Sequence, residues 1–168
     1  TKENGLQKIV RVFNENFDSM YSGNKEFSDE IIQRLICWKN GIHPKHSCVG
    51  HYLLSGPSGS GKTYVAQVVA SVINNMGGVV SNKNMIYING GSYSSSHEVA
   101  KLQGSPAGYL GHRETPPVFN RKAINATKNA ESLWGICVVL FDEIDKAHEA
   151  VTNLMLGVME RGCIATGA

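Results

Sequence analysis

The sequence predicts an α/β domain, a P-loop sandwich of three layers in which helices cover a parallel sheet, and three observations predict it. The first is Gly56-Pro57-Ser58-Gly59-Ser60-Gly61-Lys62-Thr63, which meets G-x-x-x-x-G-K-[ST] at every fixed position and lies between an apolar run and a helical pattern. The second is the order strand, helix, strand from Tyr52 to Ile88, a unit that makes parallel strands with a right-handed crossover. The third is Ile136-Cys137-Val138-Val139-Leu140-Phe141, a wholly apolar run that ends in Asp142-Glu143. It reads as a buried central strand with carboxylates at its C-terminal end.

Composition narrows the class further. A chain of 168 residues is long enough for one domain with its own core. Hydrophobic residues at 42% and charged residues at 18% exclude a disordered chain. A formal net charge of +2 gives no basis for a nucleic-acid or anionic-membrane partner. With no apolar run long enough to span a bilayer and a polar start at Thr1 to Gly5, the expectation is a cytoplasmic protein. Cys37, Cys48, Cys137 and Cys163 form no C-x-x-C pair and read as buried reduced thiols. The sequon Asn125-Ala126-Thr127 falls in a helical stretch and is discounted.

Taken in order, Leu6, Ile9, Val10, Phe13, Phe17 and Met20 recur at helical spacing over residues 5 to 20. A second helix is expected from Ser28 as its cap, with Phe27 and Ile32 as a hydrophobic staple and Asn40-Gly41 as its stop. Residues 41 to 50 read as a loop, with His43 and His46 as solvated side chains. Tyr52-Leu53-Leu54 reads as a short buried strand feeding the phosphate loop. The helix after the loop carries Val65, Val68, Val69, Val72, Ile73 and Met76 and ends at Gly77-Gly78.

Met85-Ile86-Tyr87-Ile88 is the next expected strand, followed by a Gly/Ser loop from Gly90 to Ser96 and a short helix to Leu102. Gly104 to His112 is a loop by its glycines and proline, with Tyr109 and Leu110 at its tip. That pair either folds back into the core or serves as an exposed apolar contact. Pro116-Pro117 can open a helix containing Val118, Phe119, Ala123, Ile124 and Ala126. A last helix carries Val151, Leu154, Met155, Val158 and Met159 and stops near Gly162.

The chemistry follows from the two polar motifs. Glycines let the loop N–H groups turn toward a polyphosphate over a helix N-terminus. The nucleotide-binding residues are then Gly56, Pro57, Ser58, Gly59, Ser60, Gly61, Lys62 and Thr63, with Tyr64 next to them. Lys62 reaches the β- and γ-phosphates, and the Thr63 hydroxyl ligates Mg²⁺. Asp142 at a strand end is suited to hold the same Mg²⁺ through its water shell, and Glu143 beside it orients or deprotonates the attacking water. Both motifs sit at C-terminal ends of strands, so they converge if those strands are neighbours. Mg²⁺-dependent ATP binding is expected, with Glu143 needed for hydrolysis and dispensable for binding. Asp145, Lys146 and His148 read as surface and cap residues.

Gly56 to Thr63, Gly108-Tyr109-Leu110-Gly111 and Val138 to His148 together resemble the AAA+ ATPases of the Clp unfoldase and disaggregase branch, most of all the second ATPase domain of ClpB-type chaperones. The resemblance runs from Gly23 to Gly167. It implies the large AAA+ subdomain and a homo-oligomeric ring, a hexamer, that acts on polypeptide substrates with a protease or adaptor as a further partner. Tyr109 then grips extended polypeptide in the channel and Leu110 is its apolar neighbour. Ser22-Gly23-Asn24 stands where the family has its Gly-Gln segment beside the adenine. The segment from His112 to Trp134 is longer than the family's, and the family's sensor and arginine-finger residues fall beyond Ala168. The expected organisation is therefore a helix over 1–22 and an AAA+ core over 23–168, incomplete at its C-terminal end.

Other readings compete with a protein remodeller. One is a nucleotide-gated assembly or scaffold module with slow hydrolysis. Another is a nucleic-acid remodelling loader, disfavoured by near-neutral charge and the apolar Tyr109 loop. A small-molecule kinase needs an acceptor pocket that no residues here define.

Overall fold

The computed structural model describes residues 5–20, 25–43, 48–74, 85–103, 118–127 and 134–161. Three helices come first: α1 (Gly5–Met20), α2 (Lys25–Lys39) and α3 (Lys62–Ile73). The apolar stripe of α1 buries Phe13 and Phe17, whose rings stack at 5.9 Å, against Ile31, Ile32 and Leu35 of α2 and Val68, Val72 and Ile73 of α3. Trp134 completes this cluster from later in the chain. Its carbonyl accepts from Trp38 Nε1 at 3.3 Å, and Lys39 Nζ lies 5.5 Å from the centre of its ring.

Two parallel strands follow, β1 (Met85–Asn89) and β2 (Val138–Asp142), paired from Met85 opposite Val138 to Asn89 opposite Asp142. The chain passes between them through a 3₁₀ turn (Gly90–Tyr93), α4 (Ser96–Gln103) and α5 (Arg121–Thr127). A second 3₁₀ turn (Ile144–Lys146) and α6 (Glu149–Arg161) come after β2. Ile86, Ile88, Val99, Leu102, Phe119, Val151 and Leu154 form a second apolar cluster, with Val139 and Phe141 packed against it.

Because side chains alternate along a strand, the two clusters lie on opposite faces of the sheet. Ile136 and Val138 pack on the helical cluster, whereas Cys137, Val139 and Phe141 pack on the second. Ile86 and Ile88 share the second face. Tyr87, Asn89 and Asp142 are thereby left on the face toward α3, where three polar side chains meet at one end of the sheet.

Several expectations are corrected. Tyr52-Leu53-Leu54 is not a buried strand: residues 51–57 join no sheet, and Leu53 is 89% exposed. A strand exists only where a partner completes its hydrogen-bond ladder, and among the described residues no strand lies beside this run. Tyr52 instead sets its ring edge-on to Phe27 at 5.5 Å. For the same reason β2, with one neighbour among the described residues, is half-buried along its length rather than a buried central strand.

Ser28 does not cap α2, which starts three residues earlier and buries Ser28 in its interior. Phe27, Ile31 and Leu35 at i, i+4 and i+8 keep the helical register going back to Lys25. The far end closes at Asn40-Gly41, where Gly41 N donates to Trp38 O at 3.2 Å and Ile42 N to Cys37 O at 3.0 Å, the paired bonds of a Schellman ending. Val118 and Phe119 precede their helix. Their N–H groups donate to Lys101 O and Leu102 O at 3.3 Å, and Asn120 caps α5 by accepting Ala123 N at 2.8 Å. Cys37, Cys48 and Cys137 are free and half-buried, and Cys137 lies just before β2, not in it. The Cys48 thiol donates to Val158 O at 3.0 Å, and burial pushes its pKa up. Ser22-Gly23-Asn24, His46, Met76 with Gly77-Gly78, the Tyr109-Leu110 loop, Pro116-Pro117 and Cys163 lie outside the described residues.

Candidate nucleotide and metal site

Gly59 and Gly61 hold φ of +77° and +84°, a left-handed conformation that glycine adopts without steric cost. A Cβ at either would meet no atom within 4 Å, so the loop presents an open surface there. The loop passes directly into α3, with Gly61 as its N-cap and Val65 N donating to Gly61 O at 3.0 Å. First-turn N–H groups of a helix have no intrahelical partner and carry the positive end of its dipole. An open glycine surface over that end is a cradle for anionic oxygens.

Lys62 bridges its own loop. Its Nζ donates to Gly56 O at 2.6 Å, Pro57 O at 2.8 Å and Ser60 Oγ at 3.4 Å, which occupies all three ammonium protons. A phosphate would replace neutral acceptors with charged ones, and charge-assisted hydrogen bonds are the stronger kind. Tyr64 follows on the first turn of α3, about half exposed.

Thr63 and Asp142 meet directly. Thr63 Oγ1 donates to Asp142 Oδ2 at 2.9 Å, which commits the hydroxyl proton to the carboxylate and leaves the hydroxyl lone pairs for a cation. Hydroxyl and carboxylate oxygens together are the donor type that Mg²⁺ takes. The residues present therefore fit a magnesium-bound polyphosphate. Their meeting does not come from neighbouring strands, since the run before the loop is no strand. It comes from α3, whose Val68 and Val72 pack in the same cluster that receives Ile136 and Val138, so that the helix carries Thr63 to the end of β2.

Asp142 has two further donors. Glu143 N donates to Oδ1 at 3.0 Å, and the Tyr87 hydroxyl to Oδ2 at 3.1 Å. Asn89 Nδ2 reaches the Tyr87 hydroxyl oxygen at 3.5 Å. Burial, with the neighbouring Asp142 carboxylate adding to it, pushes the Tyr87 pKa above the ordinary phenol value.

Glu143 stands at φ +49°, and it is the one non-glycine residue at positive φ among the described residues. Such a conformation costs on the order of 1 to 3 kcal/mol and persists only where the surroundings impose it. Here the turn Gly90–Tyr93 lies directly against it. A Cβ on Gly90 would collide with the Glu143 carbonyl, and a Cβ on Gly91 would come to 3.1 Å from Glu143 Oε2. His148 N donates to Tyr93 O at 2.8 Å, and His148 Nδ1 caps α6 by accepting Ala150 N at 3.1 Å. The Glu143 carboxylate itself accepts from Lys146 Nζ at 3.1 Å, and that pairing raises the lysine's pKa. Lys146 is a surface residue, as expected, and its ammonium pairs with the Glu143 carboxylate.

Sequence reasoning passed over Tyr87, Gly90 and the Lys146 pairing. The signal for Tyr87 was present in Met85 to Asn89, where Tyr87 and Asn89 alternate with Ile86 and Ile88 and so share a face. Which face that is depends on pairing register. The closeness of Gly90 to Glu143 has no local signature.

Residues 48–168 match the family model described as AAA domain (Cdc48 subfamily). The chain is similar to heat shock protein 100 of Trypanosoma brucei brucei, 32% identical over 144 residues that cover 83% of this chain and 14% of that protein. It is similar to the chaperone protein ClpB of Malacoplasma penetrans, 28% identical over 165 residues, 96% of this chain and 21% of that protein. A third relative is the ATP-dependent Clp protease ATP-binding subunit ClpE of Lactococcus lactis subsp. lactis, 32% identical over 140 residues, 83% of this chain and 17% of that protein. The chain thus spans about a fifth or less of the length of these relatives.

Proposed function

The chain belongs to the AAA domain family, Cdc48 subfamily, whose α/β P-loop fold binds ATP, and from that premise we propose that it is a Mg²⁺-dependent ATPase module of a protein remodeller. The observation that carries this reading is the 2.9 Å bond from Thr63 to Asp142, which joins the phosphate loop to the acidic strand end. Lys62 exchanges its loop carbonyls for the β- and γ-phosphates, and Gly56 to Tyr64 line the nucleotide. Magnesium, when bound, supplies charge neutralisation across the phosphates. Thr63 and Asp142 would hold it, with the Thr63 hydroxyl still donating to the Asp142 carboxylate. Glu143, released from Lys146, orients or deprotonates the attacking water.

The printed names of the relatives, chaperones and a Clp protease subunit, support a polypeptide substrate. We extend this to a homo-oligomeric ring, a hexamer, in which Tyr109 and Leu110 contact the substrate and a protease or adaptor joins. In this organisation 23–168 is the AAA+ core and 1–22 a helix attached to it through Phe13 and Phe17. Among the described residues no helix is long and apolar enough to cross a membrane. The Glu143–Lys146 pair favours one other reading, a nucleotide-gated assembly module in which hydrolysis is slow.

Glu143→Gln in the full-length protein tests the assignment. It should bind ATP as the parent does and lose hydrolysis by about 100-fold or more. Failure to bind, or hydrolysis at the parental rate, contradicts it. Tyr109→Ala should keep ATPase activity and lose substrate processing, whereas an assembly module would be indifferent to it.

A further inference from the structure

We propose that Tyr87 is a positioning residue for the magnesium site: its hydroxyl pins Oδ2 of Asp142 from the sheet side, so that the carboxylate is oriented before metal and nucleotide arrive. The inference rests on the nucleotide-site reading given above and adds to it a residue outside both phosphate loop and acidic pair.

Three features of the structure carry it. The first is the donor count on Asp142. Oδ2 receives two hydroxyl protons, from Thr63 at 2.9 Å and Tyr87 at 3.1 Å, while Oδ1 receives the Glu143 N–H at 3.0 Å. Two donors on one oxygen and one on the other fix the rotation of a carboxylate that would otherwise turn about its Cβ–Cγ bond. The second is where those donors sit. Thr63 lies at the N-terminus of α3, next to the loop, and Glu143 is the positive-φ residue at the turn, so both sit outside the strand ladder. Tyr87 is a middle residue of β1, hydrogen-bonded into the sheet with Leu140 as its register partner. Of the three donors it alone is held by the sheet.

The third feature is its support. Asn89 Nδ2 lies 3.5 Å from the Tyr87 oxygen, and Asn89 Oδ1 accepts Gly91 N at 2.8 Å. The same short strand therefore braces Asp142 through Tyr87 and the turn beneath Glu143 through Asn89. The Tyr87 phenol is long enough to cross to the next strand with its oxygen.

Partners that orient metal-holding groups typically cost 10- to 100-fold in metal affinity when removed. The full-length protein and its Tyr87→Phe variant, which keeps the ring and loses only the oxygen, are titrated with fluorescent ADP in chelator and then with Mg²⁺ at saturating nucleotide. The inference predicts unchanged Mg²⁺-free nucleotide affinity and a Mg²⁺ requirement raised about tenfold. Leu140→Val disturbs packing opposite Tyr87 without touching the hydroxyl, and should leave the Mg²⁺ requirement at the parental value. Parental Mg²⁺ dependence in Tyr87→Phe, equal losses with and without Mg²⁺, loss of folding in Tyr87→Phe, or the same Mg²⁺ shift in Leu140→Val would each overturn the inference and leave the nucleotide site standing. A parent protein that binds no nucleotide under either condition removes the site itself and the inference with it.

Discussion

The two faces of the β1–β2 pair are built from the same ten residues and behave as opposites. On one face Ile86 and Ile88 are sealed by α4, α5 and α6, with half-buried Val139 and Phe141 beside them and Leu102 and Val151 fully buried. On the other, Tyr87, Asn89 and Asp142 hold hydrogen bonds to one another and to Thr63 on α3. Alternation along a strand allows this division, because a residue can be moved from structure to chemistry by a single step in sequence. The sealed face supplies the rigidity against which the polar face keeps its geometry. Substitutions on the first should therefore cost stability, and those on the second should cost ligand affinity.

The largest stability effect belongs to the sealed face. Phe119 is buried and sets its ring edge-on to Phe141 at 6.5 Å. Phe119→Ala should destabilise by about 3 to 5 kcal/mol, read from urea unfolding midpoints. A loss comparable to that of an exposed residue would break the contrast between the faces. Next comes Gly90→Ala at the rim, where the new methyl meets the Glu143 carbonyl. Overpacking of this kind costs about 1 to 3 kcal/mol, and displacement of Glu143 should lower ATP hydrolysis more than ATP binding. Equal losses in binding and hydrolysis would show that the turn does not set Glu143.

The smallest effect concerns α4, one of the covers of the sealed face. Ser95 N and Ser95 Oγ both donate to Glu98 Oε2 at 3.2 Å, and the backbone donor first of all holds the Glu98 carboxyl below its ordinary pKa of 4.5. A depressed carboxyl contributes stability above its unfolded value and loses it as pH falls through the folded one. Thermal midpoints of the parent should therefore drop below pH 4.5 somewhat more steeply than those of Glu98→Gln. Parallel curves would remove the cap from the account.

How much of this could be read from the residues divides along physical lines. Helical periodicity was sufficient for α1, α6 and the start of α3, because a stripe such as Phe13 and Phe17 needs only some apolar surface to bury against, whereas α3 ends at Ile73 with Asn74 as its C-cap, short of Met76. Gly56 to Thr63 and Asp142-Glu143 stood out because polyphosphate chemistry demands fixed residue types at fixed spacing. Tyr52 to Leu54 misled, since three apolar residues form a strand only where a partner strand is supplied, and Leu53 is exposed instead. Ser28 misled because a cap residue is recognised by what precedes it, and the register of Phe27, Ile31 and Leu35 carried the helix past it. Tyr87 was hidden by register: its partnership with Asp142 follows from alternation only once the pairing of Asn89 with Asp142 is known. The Glu143 pairing with Lys146 depends on a positive φ that no local pattern announces.

The central claim is that Thr63 and Asp142 act as one unit in holding a magnesium-bound nucleotide, and a double-mutant cycle tests it most directly. Mg²⁺-nucleotide affinity is measured for the full-length protein, Thr63→Ala, Asp142→Asn and the double variant. Residues in contact through one network couple by about 0.5 to 3 kcal/mol, so the double variant should lose less than the sum of the two single losses by an amount in that range. Strictly additive losses, or single variants that bind Mg²⁺-nucleotide as the parent does, would contradict it.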